Sequence, residues 1–369
     1  MIDKEFWQNK KVLVTGHTGF KGSWLSLWLN LLGAEVFGYA LPPRTEIDNF
    51  VLTNLQQRID NNLADIRDYH QLLNVFQQSK PEIVFHLAAQ PIVRESYRKP
   101  KETFDINLGG TVNLLECCRL TESVQVIINI TSDKCYENRE QFQGYREEDR
   151  LGGFDPYSSS KAGSEIISTA YRQSFFNPKS IKQHRKSLAT ARAGNVIGGG
   201  DWQSDRLLPD CLVALHQNRP MVIRNPNATR PWQHVLEPLS GYLVLAEKMF
   251  SQPEIYQGAW NFGPSDESVI TVAQLADIIV TIWDSGSWEK IPDKNGTAND
   301  EPHESTLLKL DISKAKTVLH WTPRWDIVTS LKKTIDWYKE FFRDPGNMYD
   351  YAVKQIREYQ IPENQAADE

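Results

Sequence analysis

The sequence predicts an α/β protein with a doubly wound parallel sheet and a smaller, discontinuous second lobe, and three observations predict it. Apolar runs of strand length alternate with segments of helical period, the turn Gly16-His-Thr-Gly19-Phe-Lys-Gly22 opens the alternation, and the texture of the chain changes after Arg192. Such alternation implies right-handed crossovers and helices on both faces of the sheet.

In chain order, a strand over 11–15 precedes a helix over 20–32, a second strand follows at 35–39, and further strands fall at 82–87 and 124–130. Beyond Arg192 the chain becomes rich in Gly, Pro, Trp and Arg, as in Gly198-Gly-Gly-Asp-Trp202 and Arg224-Asn-Pro-Asn-Ala-Thr-Arg230-Pro-Trp232, a composition suited to a ligand-contacting lobe. Helical patterns return at 236–249, 272–282 and 325–342, and 256–262 reads as a strand that rejoins the first sheet. The expected organisation is a first lobe over 1–191 completed by about 235–265, a second lobe over 192–234 and 266–350, and a tail over 351–369 that frays at its end.

With 369 residues, 40% hydrophobic and 24% charged, the chain is long enough for two lobes and a sizeable core. Its 41 basic and 47 acidic residues give a net charge of -6, which argues against a nucleic-acid binder, because no basic field is present to displace counterions. An anionic ligand must therefore meet local positive charge. Cys117, Cys118, Cys135 and Cys211 have no metal-site spacing and are too few for a disulfide framework, so no metal and a reducing, cytoplasmic setting are expected. Charges in the first eleven residues leave no apolar run for a secretory signal. The most apolar stretch, 24–41, is interrupted by Ser26, Asn30, Gly33 and Glu35, so no membrane span is expected.

The glycine turn follows a strand and precedes a helix, the context of a Rossmann-type phosphate site. Gly16 would permit the tight turn, Gly19 the approach of a pyrophosphate, and Gly22 close packing of helix on strand, with free helix N–H groups facing the anion. Phe20 and Lys21 lie within the same turn. The ribose-binding acid expected at the end of the second strand is missing from Gly38-Tyr39-Ala40-Leu41-Pro42-Pro43. Arg44 suits a 2′-phosphate or simply the surface; NAD is the expected cofactor. Asp65 and Ile66 would contact the adenine, although Asp65 also reads as a turn or cap acid. Leu87, Ala88 and Ala89 would let the dinucleotide lie close, and Asn107 and Thr131 complete the cofactor candidates.

Tyr157 and Lys161 are four residues apart in a segment that opens with Asp155-Pro156, a helix-start signal, so both face one side of a helix. A lysine held there is expected to lower the pKa of the phenol, which would then accept a hydroxyl proton as hydride leaves the same carbon. In isolation the same spacing is an exposed pair. Here it lies downstream of a dinucleotide turn and of Ser132-Asp133-Lys134.

Together the Gly16/Gly19/Gly22 turn, the Tyr157/Lys161 pair and the Asn195 segment resemble the extended short-chain dehydrogenase/reductase family, which includes NAD-dependent epimerases and dehydratases. Ile130-Thr-Ser-Asp-Lys-Cys-Tyr136, Arg192-Ala-Gly-Asn-Val-Ile-Gly-Gly-Gly-Asp-Trp202 and Arg230-Pro-Trp-Gln-His-Val235 resemble the members that dehydrate CDP-glucose. The resemblance implies oxidation at C4 of the glucose with hydride passing to NAD, loss of water across C5 and C6, and return of hydride to C6. It casts Tyr157 as base for the 4-hydroxyl, Lys161 as its partner and Ser132 as a donor to that oxygen. Asp133 would be the acid for the C6 hydroxyl. Lys134 would be the base at C5, where related dehydratases carry glutamate. Elimination then needs a neutral lysine beside a protonated aspartate, whereas a salt bridge is the bland reading of that pair.

For the nucleotide, the resemblance implies Asn195 and Arg230 on the diphosphate; Arg224 and Trp232 are planar enough to stack on the base and His303 would reach the ribose, although tryptophan is usually core and surface arginines are commonplace. Arg206 and Lys309 would add positive charge, and Arg94 would line the sugar pocket or anchor a loop. The resemblance also implies a homodimer through helices around 101–118 and 156–175. A 4-epimerase would share the turn, Tyr157 and Lys161 without needing Asp133 and Lys134, a dehydratase for another nucleotide sugar would share all of them, and a non-catalytic NAD-binding regulator would need neither pair.

Overall fold

The computed structural model describes residues 2–203, 206–290 and 307–361. Its first six strands are β1 (Lys11–Thr15), β2 (Glu35–Ala40), β3 (Asp60–Leu63), β4 (Ile83–His86), β5 (Val126–Ile130) and β6 (Ser187–Arg192). The chain then leaves this sheet through the short strands β7 (Val196–Ile197), β8 (Met221–Ile223), β9 (Thr229–Pro231) and β10 (Gln233–His234). It returns as β11 (Gly258–Asn261) and departs again into β12 (Val269–Thr271) and β13 (Trp288–Lys290).

The main sheet has seven strands in the order β11-β6-β5-β4-β1-β2-β3, and every neighbouring pair is parallel. Period-two alternation sends its side chains to two apolar layers. Val12, Val14, Ile83, Phe85, Val126 and Ile128 face a core with Trp24 and Trp28. Leu13, Val84 and Ile127 face a second core with Leu72, Phe76 and Leu114. Each large side chain removed from water in this way contributes about 1.5–3 kcal/mol.

Outside the main sheet the described residues form three two-stranded pairings, β7 with β10, β8 with β13 and β9 with β12. The segment after β7 meets the helix Phe20–Leu31, where the Trp24 indole donates to the Gly199 carbonyl at 2.9 Å. Residues 351–360, which the sequence reading leaves in a terminal tail, lie in the helix Met348–Gln360. Ala352, Ile356 and Tyr359 form its buried stripe, and the Tyr359 ring meets Trp28 edge-on at 5.6 Å. Polar residues between these positions hide the helical period. The rest of the tail, 362–369, lies outside the described residues.

Candidate active site

β1 is hydrogen-bonded to β2 on one side and β4 on the other, so the crossovers change direction there and leave a crevice at the strand ends. Gly16, immediately after β1, has φ +76°, and a Cβ on it would lie 2.7 Å from the Ala88 nitrogen. A Cβ on Gly22 would lie 2.0 Å from the Gly16 carbonyl oxygen, so the helix can approach the turn only without a side chain. On Gly19 a Cβ would meet only that oxygen, at 3.4 Å. The helix Phe20–Leu31 starts there with no side-chain cap, leaving its first N–H groups available to an anion. These features fit a dinucleotide pyrophosphate.

The crevice widens into a cleft of about 1620 Å³ whose wall includes Gly16, Gly19, Phe20, Lys21 and Gly22. Asp65, Ile66, Leu87, Ala88 and Ala89 line it further along. The Asp65 carboxylate accepts from Arg67 at 2.6 and 3.0 Å, and these bonds hold it below the usual carboxylate range. Asn107 does not line the cleft. It lies in the π-helical turn Asp105–Gly109, accepts from the Gln90 backbone nitrogen at 2.8 Å and donates to Ser160 Oγ at 2.8 Å, so it braces the wall from behind. Lys21 faces the cleft among Arg206, Lys161, Asp133 and Asp201; burial, reinforced by the cations and opposed by the acids, lowers its ammonium to about 7.

Asp155 caps the helix Pro156–Ser174, accepting from the Ser158 nitrogen at 2.9 Å, and Pro156 occupies the first turn. Tyr157 and Lys161 project from this helix into the cleft. Lys161 Nζ donates to the Ile130 carbonyl at 3.3 Å. Burial lowers the Lys161 ammonium to about 8 against the opposing charge of Glu165. The expected lowering of the Tyr157 phenol by Lys161 is not what the structure holds. Burial pushes the phenol up to about 12; a hydrogen bond with Ser132 works against that rise and the Asp133 charge adds to it.

Ser132, Asp133 and Lys134 form the tight turn at the end of β5. Ser132 Oγ accepts from the Lys134 nitrogen at 3.2 Å and donates to Asp133 Oδ1 at 2.9 Å. All three line the cleft with Thr131. The Asp133 carboxylate rests on Gly194, where a Cβ would lie 2.0 Å from Oδ2. Among the described residues no ion pair joins Asp133 to Lys134.

The segment after β6 brings Asn195, Arg206, Arg224, Arg230 and Trp232 to the same cleft, and Arg94 also lines it. Asn195 has φ +49°, a left-handed conformation that asparagine tolerates, and its carbonyl accepts from the Gln233 nitrogen at 3.2 Å. Arg206 is paired with Asp201 at 2.7 Å, so part of its charge is already balanced. The Arg230 guanidinium donates to the Thr229 carbonyl at 3.1 Å. The Trp232 indole nitrogen is buried without a partner. Lys309 pairs with Asp266 at 2.8 Å and does not line the cleft. His303 lies outside the described residues.

The family profile of GDP-mannose 4,6 dehydratase matches residues 13–334. The chain belongs to that family. This dehydratase-family chain is 49% identical to a CDP-glucose 4,6-dehydratase of Salmonella typhimurium, over 97% of this chain and 98% of the relative. It is 25% identical to a UDP-glucose 4-epimerase of Pisum sativum, over 94% and 99% of the two chains. Its fold matches an epimerase from Methanothermobacter thermautotrophicus, with TM-score 0.75 and 23% identity over 92% and 95% of the chains. It also matches a dTDP-glucose 4,6-dehydratase from Bacillus anthracis solved with NAD, with TM-score 0.73 and 19% identity over 90% and 97%. The expected kinship with the extended short-chain dehydrogenase/reductases and the doubly wound sheet are borne out.

Three residues that support the site in this member of the dehydratase family escape sequence reading. Gly194 gives Asp133 its place, Gln233 holds Gly194 and Asn195 through their carbonyls, and Glu165 accepts from Thr131 Oγ1 at 2.5 Å. Only Glu165 carries a local signal, because it continues the four-residue step from Tyr157 to Lys161. Among the described residues no His, Cys, Asp and Glu cluster is arranged for a metal ion, and no helix is long and apolar enough to cross a membrane.

Proposed function

We propose that this protein converts CDP-glucose to CDP-4-keto-6-deoxyglucose with NAD as cofactor. The observation that carries the reading is the convergence of Tyr157 and Lys161 with Ser132, Asp133 and Lys134 on one cleft. The 49% identical relative that bears the name of this activity supports it.

NAD, when bound, supplies the acceptor for a hydride at C4 and its later return to C6. The turn from Gly16 to Gly22, with Asp65, Ile66, 87–89 and Thr131, is the surface that would hold it. Tyr157 takes the 4-hydroxyl proton as a phenolate while Ser132 holds the same oxygen; the positive charges of Lys161 and of oxidised NAD would offset the burial that otherwise raises the phenol. The resulting ketone acidifies the C5 proton, which passes to Lys134 as the C6–O bond breaks. Asp133 gives its proton to the departing hydroxyl, which leaves as water; the C5–C6 double bond left behind would take hydride at C6 and regain the proton of Lys134 at C5. This step needs a neutral amine and a protonated carboxyl. That pair has the same net charge as an ammonium beside a carboxylate, and exclusion of water by bound substrate favours it over separated charges.

Asn195 and Arg230 would hold the diphosphate with help from Arg206, and Arg224 and Trp232 would take the cytosine, with Arg94 near the sugar. His303 is the candidate for the ribose. Exposed Val112 and Ile166, on the helices Gly110–Leu120 and Pro156–Ser174, suit a homodimer contact. A cytoplasmic enzyme of deoxysugar biosynthesis, with O-antigen lipopolysaccharide as the outlet, fits the four buried free thiols and the chemistry of the product.

The test is incubation with NAD and CDP-glucose carrying deuterium at C4. The keto sugar should appear with the label on its new methyl group. Product without that label overturns internal hydride return, and turnover of a UDP- or dTDP-sugar in place of CDP-glucose overturns the nucleotide assignment.

A further inference from the structure

We propose that the buried Glu165–Arg192 ion pair is a positioning device that sets the elimination residues Asp133 and Lys134 against the oxidation pair Tyr157 and Lys161. The proposal rests on the dehydratase reading and assigns a task to groups that the mechanism leaves unused.

Glu165 stands one helical turn beyond Lys161 on the helix Pro156–Ser174, so its carboxylate is fixed to the element that carries the oxidation pair. Its Oε1 accepts from Thr131 Oγ1 at 2.5 Å and Arg192 Nε at 2.9 Å. Its Oε2 accepts from Thr190 Oγ1 at 2.7 Å and Arg192 Nη2 at 2.8 Å. From the end of β6, Arg192 Nη1 donates to the Tyr136 hydroxyl at 2.6 Å and the Glu147 carbonyl at 3.0 Å. Tyr136 in turn donates to Asn261 Oδ1 on β11 at 2.8 Å.

Thr131 and Tyr136 bracket the turn that carries Ser132, Asp133 and Lys134. One end of that turn is tied to Glu165 and the other to Arg192, so the ion pair closes a loop of hydrogen bonds around it. Arg192 also lies two residues before Gly194, the backbone on which Asp133 rests. The paired side chains are 3% and 2% exposed. A pair this deeply buried contributes little net stability compared with well-packed apolar side chains, so its value lies in directional bonds. Reacting groups displaced by about 1 Å lose on the order of a hundredfold in rate, which makes such direction consequential.

Tyr136→Phe removes the anchor at Arg192 and leaves the ring and the ion pair in place. Arg192→Lys keeps the charge and removes the forked contact, and it serves as the second variant should the first not fold. Single turnovers of CDP-glucose are quenched with acid, and CDP-4-keto-glucose is separated from CDP-4-keto-6-deoxyglucose. The expected result is C4 oxidation within about threefold of the parent and elimination slowed about tenfold or more, so that the keto-glucose accumulates. A merely structural role would lower the melting temperature and reduce both steps together. Parallel loss of the two steps, or an unchanged product ratio in both variants, overturns the proposal. A parent enzyme that forms no keto sugar from CDP-glucose overturns the dehydratase reading and the proposal with it.

Discussion

Gly194 fixes the position of the proposed acid, because any side chain there would occupy the place of the Asp133 carboxylate. Gly194→Ala should therefore displace Asp133 and slow product formation about a hundredfold, with C4 oxidation retained; quenched single turnovers that separate the two keto sugars check it. Lys134→Met should abolish exchange of the C5 hydrogen with solvent while C4 oxidation stays measurable, and unchanged exchange in deuterated water would remove Lys134 as the base. Tyr157, Lys161 and the glycine turn were legible because their chemistry is written in short spacings. Gly194 was not, because its partner is sixty-one residues away in the chain and the contact exists only after β5 and β6 pair. The effect of burial on the Tyr157 phenol was not legible for a related reason. The spacing places a lysine nearby but does not reveal that burial outweighs it or that Nζ turns to the Ile130 carbonyl.

At the scale of elements, the helix Pro156–Ser174 carries the oxidation pair, and Asp155 fixes where it begins. Asp155 accepts from both the nitrogen and the hydroxyl of Ser158, at 2.9 and 2.6 Å. Asp155→Ala should lower stability by about 1 kcal/mol, with the loss read from urea unfolding. The Asp-Pro signal made this helix legible, and strand, glycine turn and helix did the same for the nucleotide crevice. The helix Met348–Gln360 was not legible because charged residues separate the members of its buried face and one of those members, Gln355, is itself polar. The place of Asn107 behind the cleft wall was not legible, because the π-helical turn that carries its side chain inward to Gln90 has no sequence signal.

Across the whole molecule, Glu237 joins parts distant in sequence. Its carboxylate accepts from the Trp325 and Arg324 nitrogens at 2.7 and 3.0 Å and from the Tyr359 hydroxyl at 2.7 Å. Burial pushes this carboxyl up to about 7 against those hydrogen bonds. The folded state then holds a proton that the unfolded chain releases at the ordinary glutamate value. Stability should therefore fall as pH rises through that interval and level off above about 7. Glu237→Gln should remove this slope, shifting the difference from the parent by up to about 3 kcal/mol between the ends of the interval; urea titrations across that range measure it.

The alternation of strands and helices made the sheet and its two covering layers legible. The pairings of β7 with β10, β8 with β13 and β9 with β12 were not, because strands of two or three residues carry no period of their own. The seventh strand of the main sheet, β11, carries a consequence for synthesis on the ribosome. It arrives only after the excursion through β7 to β10, so a nascent chain that has completed β6 must wait some sixty-six residues for the neighbour that covers it. Translation pauses in that interval should leave a sticky border open to chaperones, and a fragment truncated before Gly258 should aggregate when expressed alone.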